Sequence, residues 1–122
     1  MNIRTTLGKL FGKPYETINA ADAPGLLASG AVLLDVREKH EWQAGHAPNA
    51  RHIPLAQLRT RHRELPTGRI IITVCRSGMR SAQAARFLAG EGRQVANVSG
   101  GMHAWARAGL PVAAKVGPGH II

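Results

Sequence analysis

The chain has 122 residues, 44% hydrophobic and 19% charged, with a formal net charge of +9 from sixteen Lys and Arg against seven Asp and Glu. That length fits about one domain and that balance fits a globular core, so a disordered or collagen-like chain is excluded. The aliphatic runs, such as Ile70-Ile71-Ile72 with Val74 one Thr beyond, are far short of the ~20 residues of a membrane span. A single cysteine, Cys75, allows no internal disulfide and no cysteine-rich metal site, which points to a reducing compartment such as the cytoplasm.

Residues 1–14 place Ile3, Leu7, Leu10 and Phe11 on one helical face among Arg4, Lys9 and Lys13. They read as an N-terminal extension, a helix or frayed segment of the domain in preference to a short amphipathic helix resting on a membrane, and they lack the long apolar core of a secretory signal. From Tyr15 onward short apolar runs alternate with helical stretches, the pattern of β-α units in a parallel sheet. Thr17-Ile18 begins a strand, and Asn19 or Asp22 caps a helix that runs to about Ala28 and stops at Ser29-Gly30. Ala31 to Val36 reads as a strand buried on both faces, followed by a helix from Glu38 to Ala44 closed by Gly45. Residues 46–54 form a loop with a brief extended piece at Arg51 to Ile53. Ala56 to Arg63 returns to helical spacing until Pro66-Thr67-Gly68. The basic cluster Arg59 to Arg63 is the only dense one, and with 4% aromatic residues it reads as a solvated helix face rather than a nucleic-acid groove.

Ile70 to Val74, five β-branched residues, is the strongest strand signal and leads straight into Cys75. A helix from Ser81 to about Ala89 should turn Ala82, Ala85, Phe87 and Leu88 to the sheet and Gln83 and Arg86 to water. Val95 to Val98 gives a further strand, Ser99-Gly100-Gly101 a tight turn and Met102 to Ala108 a last helix. Residues 113–122 form a tail ending in Gly-Pro-Gly-His-Ile-Ile, an apolar tip that could tuck against the domain or a second subunit.

Cys75 stands where a buried strand ends and a helix begins, the place where open α/β sheets hold their ligands. An exposed thiol there meets the free N–H groups of the next helix and the charges of Arg76 and Arg80, all of which favour the thiolate. Ser77 and Gly78 let the backbone curl so that successive N–H groups converge on one anionic atom. A lone cysteine is commonly a small buried hydrophobe, but here strand end, glycine, two arginines and helix start coincide.

These residues resemble a single-domain rhodanese. The likeness runs through Leu33-Leu34-Asp35-Val36-Arg37-Glu38, Glu41-Trp42, Gly45-His46-Ala47-Pro48-Asn49-Ala50, Ile53-Pro54-Leu55, Cys75-Arg76-Ser77-Gly78-Met79-Arg80-Ser81, Gly100-Gly101-Met102, Ala104-Trp105 and Gly109-Leu110-Pro111-Val112, and covers residues 15–112. It implies an α/β, three-layer fold with a five-stranded parallel sheet flanked by helices, and a sulfurtransferase that carries sulfur as a Cys75 persulfide. The donor would be thiosulfate, a persulfide or a polysulfide, and the acceptor cyanide, a thiol or a partner protein, with no metal or organic cofactor. Arg76, Ser77, Gly78, Met79 and Arg80 would form the substrate loop.

Asp35, at a strand end, could accept a bond from an arginine or cap the following helix, and Arg37 and Glu41, at i and i+4, read as a helix ion pair. His46 would brace its loop, and Trp105 belongs to the core. Ala47 and Asn49 replace the family's frequent Ile and Gly, and Asn tolerates a positive φ. Cysteine-based phosphatases of similar fold, and arsenate reductases like them, use a loop one residue longer. Four residues separate Cys75 from Arg80, a ring better suited to sulfur than to a phosphoryl group. A third reading, a non-catalytic binding or sulfur-relay module, is disfavoured by the presence of the loop cysteine.

Overall fold

The structure, a computed structural model, describes residues 14–122. The helix expected near the N-terminus lies outside the described residues. Five strands, β1 (Glu16–Ile18), β2 (Val32–Asp35), β3 (Arg51–His52), β4 (Ile71–Val74) and β5 (Val95–Val98), form one sheet in the order β1-β5-β4-β2-β3. Every pairing is parallel, with Asp35 beside Val74 and Thr73 beside Asn97. The helices are α1 (Ala23–Ala28), α2 (Lys39–Ala44), α3 (Leu58–Arg61), α4 (Met79–Gly90) and α5 (Gly101–Arg107).

Successive strand residues point to opposite faces, so β2, β4 and β5 each feed two cores. Leu33, Ile72, Val74, Ala96 and Val98 pack with Ala23 and Leu26 of α1 and Met102 and Trp105 of α5. Leu34, Val36, Ile71 and Val95 pack on the other face with Leu58, Leu65, Ala84, Ala85 and Leu88. This is the three-layer α/β architecture expected, and it sets β4 at the centre with its C-terminal end opening directly into Cys75.

Several boundaries differ from the sequence reading for local reasons. The stretch 56–63 is not one helix: a 3-10 turn at Leu55–Gln57, the single turn α3 and a second 3-10 turn at His62–Glu64 follow one another, with Leu58 the residue that anchors them inside. Helix α4 starts at Met79, two residues before the expected Ser81, because Gly78 at φ 120 turns the chain into it. Its fully buried stripe is Ser81, Ala84, Ala85 and Leu88, while Phe87 and Ala82 are only partly covered. Phe87 lies under the Arg59 guanidinium, 5.3 Å from its ring centroid.

The Gly100-Gly101 turn does more than reverse the chain. It brings the first turn of α5 beneath the β4 loop, where Met102 N–H donates to the Cys75 carbonyl (2.7 Å) and His103 N–H to the Arg76 carbonyl (3.2 Å). Gly101 has φ +58, and a Cβ there would overlap the carbonyl oxygens of Cys75 and Arg76. Gly101→Ala should therefore destabilise the fold by about 1–3 kcal/mol, since both the left-handed backbone and the close approach exclude a side chain. Urea unfolding of the variant against wild type checks this, and an unchanged midpoint would show that the turn relaxes freely.

Candidate active site

Strand β4 ends at Val74 and the next residue, Cys75, is only 1% exposed, so the thiol expected to stand open to solvent is instead enclosed by its own loop. The enclosure comes from the curl of residues 75–78. Gly78 N–H turns back and donates to Cys75 Sγ at 3.0 Å. From beneath, the fully buried Ser81 hydroxyl lies 3.3 Å from Sγ and 3.2 Å from the Gly78 carbonyl. A hydroxyl has one proton, so Ser81 donates to the sulfur or to that carbonyl and not to both. Arg76, Ser77 and Met79 face solvent, Met79 at 78% exposure, and Arg80 is half-buried.

A buried polar pair supports the loop from the sheet. Thr73 and Asn97 are neighbours across β4 and β5; Thr73 Oγ1 donates to Asn97 Oδ1 (3.1 Å), and Asn97 Nδ2 reaches the Gly78 carbonyl (3.4 Å). The sequence reading places both only inside strands, and nothing in the run Val95 to Val98 marks Asn97 as lying under a loop 19 residues away.

The acidic and basic residues are paired differently from the helical i, i+4 expectation. Arg37 and Asp35 are both 0% exposed and bind each other: Arg37 Nε donates to both carboxylate oxygens (3.0 and 3.1 Å) and Nη2 to Oδ2 (2.7 Å). Arg37 also donates to the carbonyls of Gly45 (2.7 Å) and Glu41 (3.4 Å), and its own carbonyl accepts from His52 Nε2 (2.7 Å). Asp35 thus takes the arginine partner foreseen as one option, and the N-cap of α2 is Glu38. The Glu41 carboxylate turns the other way and grips Arg80 with both oxygens, at 2.6 and 2.8 Å. Arg37 precedes the cap of α2, so it has no helical register with Glu41. Hydrogen bonding from Arg80, aided by the Glu38 N–H and the nearby Arg37 charge, holds the Glu41 carboxyl down to about 2 against the opposing effect of burial.

His46 is held at both its ring and its backbone. Its Nδ1 donates to the Trp42 carbonyl (2.8 Å), its ring stacks on Trp42 with centroids 3.7 Å apart, and its backbone pairs in both directions with Ala113. Asn49 holds φ 65, and Trp105 is buried, its Nε1 bonded to the Pro111 carbonyl. The tail returns to this side of the domain: His120 N–H donates to the Ala44 carbonyl, Ile121 packs on the core, and Arg76 Nε donates to a main-chain oxygen of Ile122 at 2.9 Å. Among the described residues no group of three or more His, Cys, Asp or Glu is placed to hold a metal ion, and no helix is long and apolar enough to cross a membrane.

A parallel sheet whose central strand delivers a cysteine into a tight loop, with an N–H donor on its sulfur and two arginines, defines a class of cysteine-loop α/β domains. Comparison with known proteins narrows this. The rhodanese-like domain model matches residues 19–108, and the chain belongs to that family. It is 33% identical over 99 residues to the thiosulfate sulfurtransferase GlpE of Vibrio cholerae, covering 80% of this chain and 92% of that one. It is 35% identical over 122 residues to the HTH-type transcriptional regulator Rv0324 of Mycobacterium tuberculosis, covering 98% of this chain but only 54% of the regulator, about half its length. The crystal structure of a rhodanese-related protein from Thermoplasma volcanium superimposes with a TM-score of 0.78 at 35% identity, over 83% of this chain and all of that one.

Two consequences of the charge pairing can be measured. Arg37→Ala leaves the Asp35 carboxylate buried and unpaired and should cost about 3–5 kcal/mol; a loss below about 1 kcal/mol in chemical denaturation would show that the pair is dispensable. Glu41, with its carboxyl lowered from 4.5 to about 2, contributes stability that is full above pH 4.5 and disappears as pH falls towards 2. The gap in Tm between wild type and Glu41→Gln should therefore be widest near neutrality and close between pH 4.5 and 2, whereas a gap independent of pH would mean that the carboxylate charge is not what stabilises.

Proposed function

We propose that this protein is a sulfurtransferase that moves a sulfane sulfur from thiosulfate or a persulfide or polysulfide donor to a thiophilic acceptor through a persulfide on Cys75. The observation that carries this reading is the convergence of the Gly78 N–H and the Ser81 hydroxyl on Cys75 Sγ. Two donors fixed on one sulfur stabilise negative charge at that atom without reorganising during the reaction. In the first half-reaction the Cys75 thiolate attacks the outer sulfur of thiosulfate, the S–S bond breaks, and sulfite leaves with the electron pair. The persulfide then carries the transferred sulfur and its charge at the loop. In the second half-reaction cyanide or a thiolate attacks that outer sulfur, and Cys75 departs as the thiolate it began as.

Gly78, Ser81 and the backbone of 76–80 hold the sulfur, Arg76 and Arg80 meet the donor, and Asp35, Arg37, Glu41 and His46 position the loop and its neighbours. The family relationship and the name of the Vibrio cholerae relative support sulfur transfer. Partners are then a small anionic sulfur donor and a thiophilic acceptor, which a protein cysteine can also provide, in a reducing compartment such as the cytoplasm that suits one free thiol.

Thiocyanate production from thiosulfate and cyanide tests the reading. Cys75→Ala should abolish it, by at least about a thousandfold as for loss of a covalent nucleophile, and wild type should release no phenol from a small aryl phosphate. Turnover unaltered in Cys75→Ala, or phosphatase turnover without sulfur transfer, would overturn it.

A further inference from the structure

Two arginines, Arg76 and Arg80, stand in the Cys75 loop, and Arg80 carries no net charge into it. Arg37 is matched by Asp35, and Arg80 is held by both oxygens of Glu41. Arg76 donates to a main-chain oxygen of Ile122. Glu41 is itself fixed, since its Oε1 accepts the Glu38 N–H at 3.0 Å in the capping box of α2 and its residue is nearly buried. Arg80 retains unused N–H donors beside the loop, because a guanidinium has five and Glu41 takes two. It therefore offers direction without attraction for an anion. The neighbouring rim position is Met79, an apolar side chain at 78% exposure.

We propose, resting on the sulfur-transfer reading above, that Glu41 is a specificity-determining residue: by neutralising Arg80 it weakens the site's preference for dianionic donors and favours persulfides carrying one negative charge at most. With such a donor the Cys75 thiolate attacks the terminal sulfur of R–S–SH, the S–S bond breaks, R–S⁻ leaves with the electron pair, and the proton stays with the Cys75 persulfide. No oxidant or reductant is consumed. Glu41 touches neither donor nor sulfur. Its effect acts through the charge of Arg80, which distinguishes it from a residue that merely holds the fold.

The test compares kcat/KM for thiosulfate with kcat/KM for the persulfide of 2-mercaptoethanol in wild type, Glu41→Gln, and Glu41→Gln combined with Arg80→Gln. A charge several ångströms from a dianion in a partly solvated site changes its binding by about tenfold. Glu41→Gln should therefore raise the thiosulfate value roughly tenfold and the persulfide value by no more than about threefold, and the gain should vanish in the double variant. Equal changes for both donors, or a gain that survives removal of Arg80, would overturn the proposal. Should Glu41→Gln not fold, Glu41→Asp supplies the same comparison: its shorter carboxylate loosens the fork, so the ratio moves in the same direction by a smaller factor, and an unmoved ratio contradicts the proposal. Failure of wild type to load sulfur from any donor would instead overturn the functional reading, and this inference with it.

Discussion

The buried guanidinium of Arg37 is the interaction on which the rest of the site depends. An unpaired ion in that position would be strongly disfavoured, and the surrounding chain is arranged so that none of its main contacts is lost. Asp35 at the end of β2 supplies the countercharge, the carbonyls of Glu41 and Gly45 tie down the middle and the C-terminal end of α2, and His52 of β3 bonds back to the Arg37 carbonyl. Helix α2 has six residues, too few to be stable alone, and its packing supplies what its length cannot. Once α2 is fixed, Glu41 faces Arg80, and the first turn of α4 is tied to the opposite side of the sheet's mouth.

The cysteine loop is constrained from three further directions, each of which uses backbone polar groups that would otherwise be unsatisfied. The N-terminal N–H groups of α5 take the carbonyls of Cys75 and Arg76, Asn97 takes the Gly78 carbonyl, and the Gly78 N–H is left for the sulfur. With these carbonyls taken, the Gly78 N–H and the Ser81 hydroxyl are the donors that face the sulfur. This makes the loop receptive to an anionic sulfur and explains how Cys75 can be buried yet still belong to a polar site.

Much of this was legible in the chain, and the limit falls at a definite physical boundary. Strand β4 declares itself through consecutive β-branched residues, the loop through Cys75, Gly78 and the helix that follows, and the sheet through alternation of short apolar runs with helices. These are local signals. The partner of Glu41 lies 39 residues away, and the carbonyl reached by Asn97 lies 19 residues away, and neither spacing has a period that a sequence reading can detect. The i, i+4 rule linked Arg37 with Glu41, but that rule holds only inside a helix, and Arg37 stands before the cap of α2. Exposure of Cys75 was misread for a related reason: the residue follows a buried strand, and only the fold shows how tightly the loop closes over it.

The central claim is that the sulfur of Cys75, held by Gly78 and Ser81, accepts and carries a second sulfur atom. Intact mass of the protein before and after incubation with sulfur donor, and again after cyanide, tests this most directly, with Cys75→Ser as control. Wild type should gain the mass of one sulfur atom and lose it to cyanide as thiocyanate, while Cys75→Ser gains nothing. A wild type that gains no sulfur from thiosulfate, persulfide or polysulfide, or a Cys75→Ser variant that gains as much, would contradict the account.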